Sequence, residues 1–197
     1  MEALNAYIKE HFAKSISVKE QILKDESLIA LIKEVALKCV ETYKNGGKIL
    51  FAGNGGSAAD AQHLAGELVS RFYFDRNALA SIALTTDTSI LTAIGNDYGY
   101  ERLFSRQLEA NALKGDIFVG ISTSGNSKNI LEALKTCKQR GILSVGLTGM
   151  SGGAMNALCD YCIKVPSNET PRIQEAHILI GHILCAIIEE SLFGKGF

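Results

Sequence analysis

From Lys48 onward, short apolar runs alternate with longer stretches of helical periodicity, and no other feature of the sequence restricts the fold so tightly. The runs are Lys48–Ala52, Ala80–Leu84, Asp116–Ile121, Leu143–Thr148 and Tyr161–Val165. Helices are expected between them at about 57–72, 87–94, 101–113, 127–140 and 152–158, and a last one from about 170 to 193. Strands alternating with helices imply an α/β fold, because right-handed crossovers lay the helices on both faces of a parallel sheet. That architecture places any ligand beyond the carboxyl ends of the strands.

Two amphipathic helices are expected ahead of this alternation, at 3–23 (Leu4, Tyr7, Ile8, Phe12) and 27–44 (Leu28, Leu31, Ile32, Val35, Ala36). Asn45-Gly46-Gly47 reads as the stop of the second. A surplus apolar face on a small domain usually meets a partner, so residues 1–45 read as oligomerisation helices on a single domain spanning 1–197.

With 20 Lys+Arg against 21 Asp+Glu mixed along the chain, there is no basic stripe to displace counterions from a phosphate backbone, and no nucleic-acid partner is expected. The first residues lack the charged start and apolar stretch of a signal peptide. The most apolar segment, Ile178–Ile188, has eleven residues and contains His182, short of the ~20 that cross a bilayer, so no membrane partner is expected either. Five cysteines make a poor disulfide framework, which points to a reducing cytoplasm. Cys159-Asp160-Tyr161-Cys162 spells C-x-x-C, but no second pair completes a zinc site, and small cysteines packed beside a strand are the commoner case.

Two loops carry candidate chemistry. Gly53-Asn54-Gly55-Gly56-Ser57 follows the first strand, and its glycines let backbone N–H groups approach an anion. The same residues fit G-x-G-x-x-A with Ala58, but the acid of a dinucleotide fingerprint belongs at the end of the second strand, and Asp75 precedes that strand. A tight turn without ligand is the bland alternative. Ser122-Thr123-Ser124-Gly125-Asn126-Ser127 follows the third strand, and its hydroxyls gather at a helix N-terminus that favours a phosphate dianion. One cap needs one hydroxyl, so phosphate binding is favoured here over capping.

His63 and Glu67, four apart, share one helix face, and Gln174 and His182 lie on the last helix. Imidazole, carboxylate and amide oxygen suit a divalent metal such as zinc, or acid–base catalysis. The alternatives are a solvated helix face for the first pair and a satisfied core histidine for His182. Eight residues of helix rise ~12 Å, so Gln174 and His182 of one chain share a metal only if the helix bends or the site spans chains.

Together with Gly95-Asn96-Asp97 and Arg172-Ile173-Gln174-Glu175, these motifs resemble the sugar isomerase (SIS) domain family, in its phosphoheptose isomerase branch, over essentially the whole chain. The resemblance implies a flavodoxin-like five-stranded parallel sheet, a homotetramer, and conversion of sedoheptulose 7-phosphate to D-glycero-D-manno-heptose 7-phosphate for bacterial lipopolysaccharide core or capsule. It implies one zinc ion per subunit, held by His63, Glu67, Gln174 and His182. It further implies substrate contacts from Asn54, Gly55, Gly56, Glu67, Asn96, Asp97, Ser122, Thr123, Ser124, Ser127 and Gln174, with Arg71 a weaker candidate. The chain departs from the pattern at Thr170-Pro171, where an acidic residue is expected. Glu67 is the expected catalytic base for the carbon-bound proton and His182 the expected acid for the oxygens. A non-catalytic SIS-domain protein, binding phosphosugars or associating with a replication initiator, is the alternative, and a nicotinamide oxidoreductase a third.

Overall fold

The computed structural model describes residues 1–197, and the elements fall in the anticipated order. Helices α1 (Glu2–Lys24) and α2 (Glu26–Lys44) precede β1 (Ile49–Gly53), α3 (Gly56–Val69), β2 (Ser81–Ala83), α4 (Thr88–Tyr98) and α5 (Leu103–Asn111). Then come β3 (Ile117–Ile121), α6 (Lys128–Arg140), β4 (Leu143–Thr148), β5 (Tyr161–Lys164) and α7 (Thr170–Phe193). All five strands are parallel, in the order β2-β1-β3-β4-β5.

Every residue of β1 and β3 is buried, which is why these strands read as unbroken apolar runs. One face of the sheet, through Ile49, Phe51, Val119 and Val145, packs on α1, α2, α3 and α7. The other, through Leu50, Ala52 and Phe118, packs on α4, α5 and α6. The boundaries that differ from expectation have local causes. The segment 152–158 forms only a 3-10 turn, Gly153–Ala157, entered through Gly152 and Gly153 at positive φ. The helix expected to end at 94 runs on to Tyr98, and residues 101–102 lie in a separate 3-10 turn before α5. Helix α3 stops at Val69 because Arg76 folds back on its end, donating to the carbonyls of Glu67 and Leu68.

Helix α7 has 24 residues and a mean hydropathy of 1.6 in its most apolar window, enough to cross a membrane by composition. Here it is the central core helix. It buries Ile173, Ala176, Ile180, Leu184 and Ile188, and it carries Glu189 in an ion pair with Arg76 in which both side chains are 1% exposed.

His177 is buried on the sheet-facing side of α7, with Nε2 3.1 Å from the Thr148 carbonyl and Nδ1 without a partner. Burial pushes its pKa down to about 4, only partly opposed by that hydrogen bond. Since the unfolded imidazole titrates near 6.5, stability is full above that pH, falls as the unfolded state takes up a proton, and stops falling below about 4. Denaturant titrations between pH 7 and 4 should show this as a loss of up to about 3 kcal/mol that His177→Gln removes. An unchanged slope in that variant would count against the assignment.

Candidate active site

Gly53 and Ile121 are paired neighbours at the ends of β1 and β3, so the two loops singled out in the sequence leave the sheet side by side. Beyond them, α3 packs on one face and α6 on the other. This divergence is the switch point at which open parallel sheets form their ligand crevice. Gly53 has no room for a side chain, because a Cβ would collide with the backbone of Ser57. Gly55, at φ +57, supplies the left-handed turn into α3. The N-terminus of α3 has no side-chain cap, and neither does that of α6.

The hydroxyl loop is folded on itself. Ser122 Oγ lies 2.8 Å from Ser127 Oγ and 3.5 Å from Ser124 Oγ. Asn126 ties the loop to the 3-10 turn by accepting from the Ala154 N–H at 2.9 Å. Thr123, Ser124 and Asn126 line a polar cleft of about 290 Å³ with Gly149, Ser151, Ser167, Asn168 and Thr170. On the other side of Gly53, Asn54 and Gly55 open into a cavity of about 470 Å³ closed by Thr85, Leu91, Thr92, Gly95, Tyr100, Leu103 and Phe104.

Asn54 is held from two sides. Its Oδ1 accepts from Asn129 Nδ2 at 2.8 Å and from the Tyr100 hydroxyl at 2.9 Å, and its Nδ2 donates back to Asn129 Oδ1 at 3.0 Å. That leaves one amide hydrogen for a ligand. Asn96 and Asp97 are exposed in the last turn of α4, where Asn96 Nδ2 donates to Asp97 Oδ1 at 2.8 Å. Neither lines the cavity, although the adjacent Gly95 does.

Helices α3 and α7 run in the same direction, which sets two clusters at opposite ends of their contact. At the start, the Gln174 amide lies against Gly56, with Nε2 2.7 Å from where a Cβ would stand. Further along, His63 Nε2 is 2.8 Å from His182 Nε2 and 3.3 Å from Glu67 Oε1. Phe72 covers His182 with ring centroids 5.5 Å apart. The side chains of His63 and Glu67 are 48% and 24% exposed, so the cluster is open to solvent. His182 is half-buried, and His63 and Glu67 face it across the α3–α7 contact. Gln174 of the same chain stays ~12 Å from His182 along an unbroken α7. Arg71 is exposed on the segment after α3.

The His63–Glu67–His182 cluster suits a metal in the kind of its donors. Two imidazole nitrogens point at one another with a carboxylate oxygen beside them, the donor types zinc takes. As the side chains stand, no three of them are gathered as a ligand set.

Asn129, Tyr100, Thr85, Ser167 and Asn168 were not singled out in the sequence. Ser167-Asn168-Glu169-Thr170-Pro171 does carry a signal, since a polar turn with proline in the first helical turn repeats the strand–loop–helix form of the first two loops. Tyr100 and Asn129 have no such signal, because only tertiary folding brings them to Asn54.

The α/β sheet thus carries two uncapped helix N-termini at its switch point and a His–Glu–His cluster alongside, and the SIS domain family model matches residues 10–149. Phosphoheptose isomerase 2 of Campylobacter jejuni is 76% identical over 197 residues, covering 100% of this chain and 98% of that protein. A phosphoheptose isomerase of Aneurinibacillus thermoaerophilus is 70% identical over 194 residues, with 98% of each covered. The solved phosphoheptose isomerase of Neisseria gonorrhoeae is 45% identical and superposes with a TM-score of 0.89, over 95% of this chain and 99% of that one. The chain belongs to the phosphoheptose isomerase family.

Proposed function

We infer that the chain catalyses the interconversion of sedoheptulose 7-phosphate and D-glycero-D-manno-heptose 7-phosphate, the ketose–aldose isomerisation of bacterial heptose biosynthesis. The observation that carries this reading is the approach of Glu67, His63 and His182 in a chain 76% identical to a phosphoheptose isomerase. The uncapped start of α6 and the hydroxyls of Ser122, Thr123, Ser124 and Ser127 bind the phosphate, and Asn54, Gly55, Gly56, Asn96, Asp97 and Gln174 contact the sugar. Glu67 removes a proton from C1 of the ketose to give a cis-enediol and returns it to C2, while His182 moves the proton between the two oxygens.

Zinc, as part of this reading, would be held by His63, Glu67 and His182, with Gln174 supplied by a neighbouring chain, and would polarise the carbonyl when bound. Assembly is supported by an apolar stripe on α1 (Leu4, Tyr7, Ile8, Phe12, Ile16), each 46% exposed or more. It continues through Ile29, Leu179 and Ile183, which line a groove with Ile22 and Ile32. Such a stripe belongs at an interface between copies, and we assign a homotetramer in the cytoplasm.

Incubating zinc-supplied protein with sedoheptulose 7-phosphate in deuterated water and following the sugar by NMR tests the reading. An aldose anomeric signal with deuterium at C2 is expected. A ketose left intact while its phosphorus resonance shifts on binding would reduce the protein to a phosphosugar-binding module.

A further inference from the structure

The C-x-x-C sequence is not used by the isomerase site, and its geometry differs from that of two packing cysteines. Cys39, Cys137 and Cys185 are buried, whereas Cys159 and Cys162 are partly open to solvent. The chain bends at Cys159 and Asp160 before entering β5, an edge strand. Asp160 pins that bend to the start of β4 by accepting from the Ser144 N–H and hydroxyl, each at 2.8 Å.

Cys162 is the register partner of Gly146, so their side-chain positions stand side by side on one face of the sheet. Gly146 leaves its position empty, and the Cys159 sulfur and the Met155 methyl fill it, each 3.0 Å from where a Cβ would be. The missing side chain on β4 therefore brings one thiol against the other. Around them, the Thr148 hydroxyl lies 3.7 Å from Cys162 Sγ, and Lys164, two residues along β5, shares the face. The neighbouring Cys159 thiol, helped by the Thr148 hydroxyl and the Lys164 charge, pulls Cys162 below the ordinary thiol range against its burial, and Cys159, whose thiol donates to the Met155 carbonyl at 2.9 Å, is pushed up in return.

We propose that Cys162 and Cys159 form a peroxide-reactive thiol pair, with Cys162 the attacking and Cys159 the resolving cysteine. The Cys162 thiolate attacks one oxygen of a hydroperoxide, the O–O bond breaks, and the departing alkoxide or hydroxide takes a proton. Cys162 becomes a sulfenic acid. The Cys159 sulfur then attacks the Cys162 sulfur, the S–O bond breaks, and the hydroxide leaves as water with the Cys159 proton. Two thiols and one hydroperoxide yield one disulfide, one alcohol or water, and one water. This pair acts independently of the sugar chemistry.

The reduced full-length protein is treated with hydrogen peroxide, denatured, alkylated with N-ethylmaleimide and digested for mass spectrometry. The expected product is a 159–162 peptide lighter by two hydrogens, with Cys39, Cys137 and Cys185 still alkylated. Cys159→Ser should trap Cys162 as a dimedone adduct, and Cys162→Ser should leave Cys159 unoxidised at the same dose. In the native protein near pH 7, Cys162 should alkylate at least ~10-fold faster than Cys137. Free thiols at both positions after a dose that oxidises glutathione, or a dimedone adduct on Cys159 in Cys162→Ser, would overturn the proposal.

Discussion

Glu67→Gln is expected to lower kcat by about a thousandfold while leaving phosphosugar affinity within a few-fold of wild type, the signature of a lost proton-transfer group. The substitution is nearly isosteric and keeps an oxygen that can face His63, now 3.3 Å away, so the α3–α7 contact is preserved. What disappears is the only carboxylate in the cluster of His63, Glu67 and His182. A neutral amide cannot take the C1 proton, so the enediol does not form. Phosphorus NMR titration reports binding, and zinc content of the same samples separates a lost base from a lost ligand. Residual turnover above about a tenth of wild type would remove Glu67 from the proton path.

Glu189→Ala should be the most damaging single change to stability away from the site, at about 3–5 kcal/mol. Glu189 accepts from Arg76 Nε at 3.1 Å and from the backbone N–H groups of Phe72 and Tyr73 at 2.8 and 2.6 Å. Burial pushes its carboxyl up, but these bonds outweigh it and hold the group below the usual carboxylate range. Its contribution is therefore present at neutral pH and lost as pH falls through the folded pKa. Removing the carboxylate leaves the Arg76 charge buried at 1% exposure, together with two unpaired N–H groups. Urea unfolding should show a lower midpoint with an unchanged slope. A loss under about 1 kcal/mol would mean that water replaces the pair. Catalysis should also weaken, because Arg76 grips the Glu67 carbonyl and Phe72 lies against His182.

Most of the fold is legible because two of its interior strands, β1 and β3, are apolar at every position. Ile49–Gly53 and Ile117–Ile121 announce themselves for that reason. At the sheet edge, Ser81–Ala83 pairs on one side only and is shorter than the run suggests. In the site, a four-residue spacing suffices to put His63 and Glu67 on one face, and strand-to-loop order suffices to place the serine loop. The partners that orient these groups are less readable. Asn129 is 75 residues from Asn54 and Arg76 is 113 from Glu189, so neither pairing leaves a local trace. The C-x-x-C pair is an intermediate case, because its spacing is visible but the gap at Gly146 that joins the thiols depends on register between two strands.

The packing of α1 and α2 on α7 also bears on synthesis. The Ser15 hydroxyl donates to Glu175 across 160 residues, and Ile22, Leu28, Ile32 and Val35 share their core with Ile180, Leu184 and Ile188. On the ribosome, α1 and α2 therefore emerge with their apolar faces uncovered and wait for a helix made much later in the chain. Nascent chains truncated before Thr170 should hold the leading segment in a chaperone-bound, protease-sensitive form, and full closure should follow only after α7 is released.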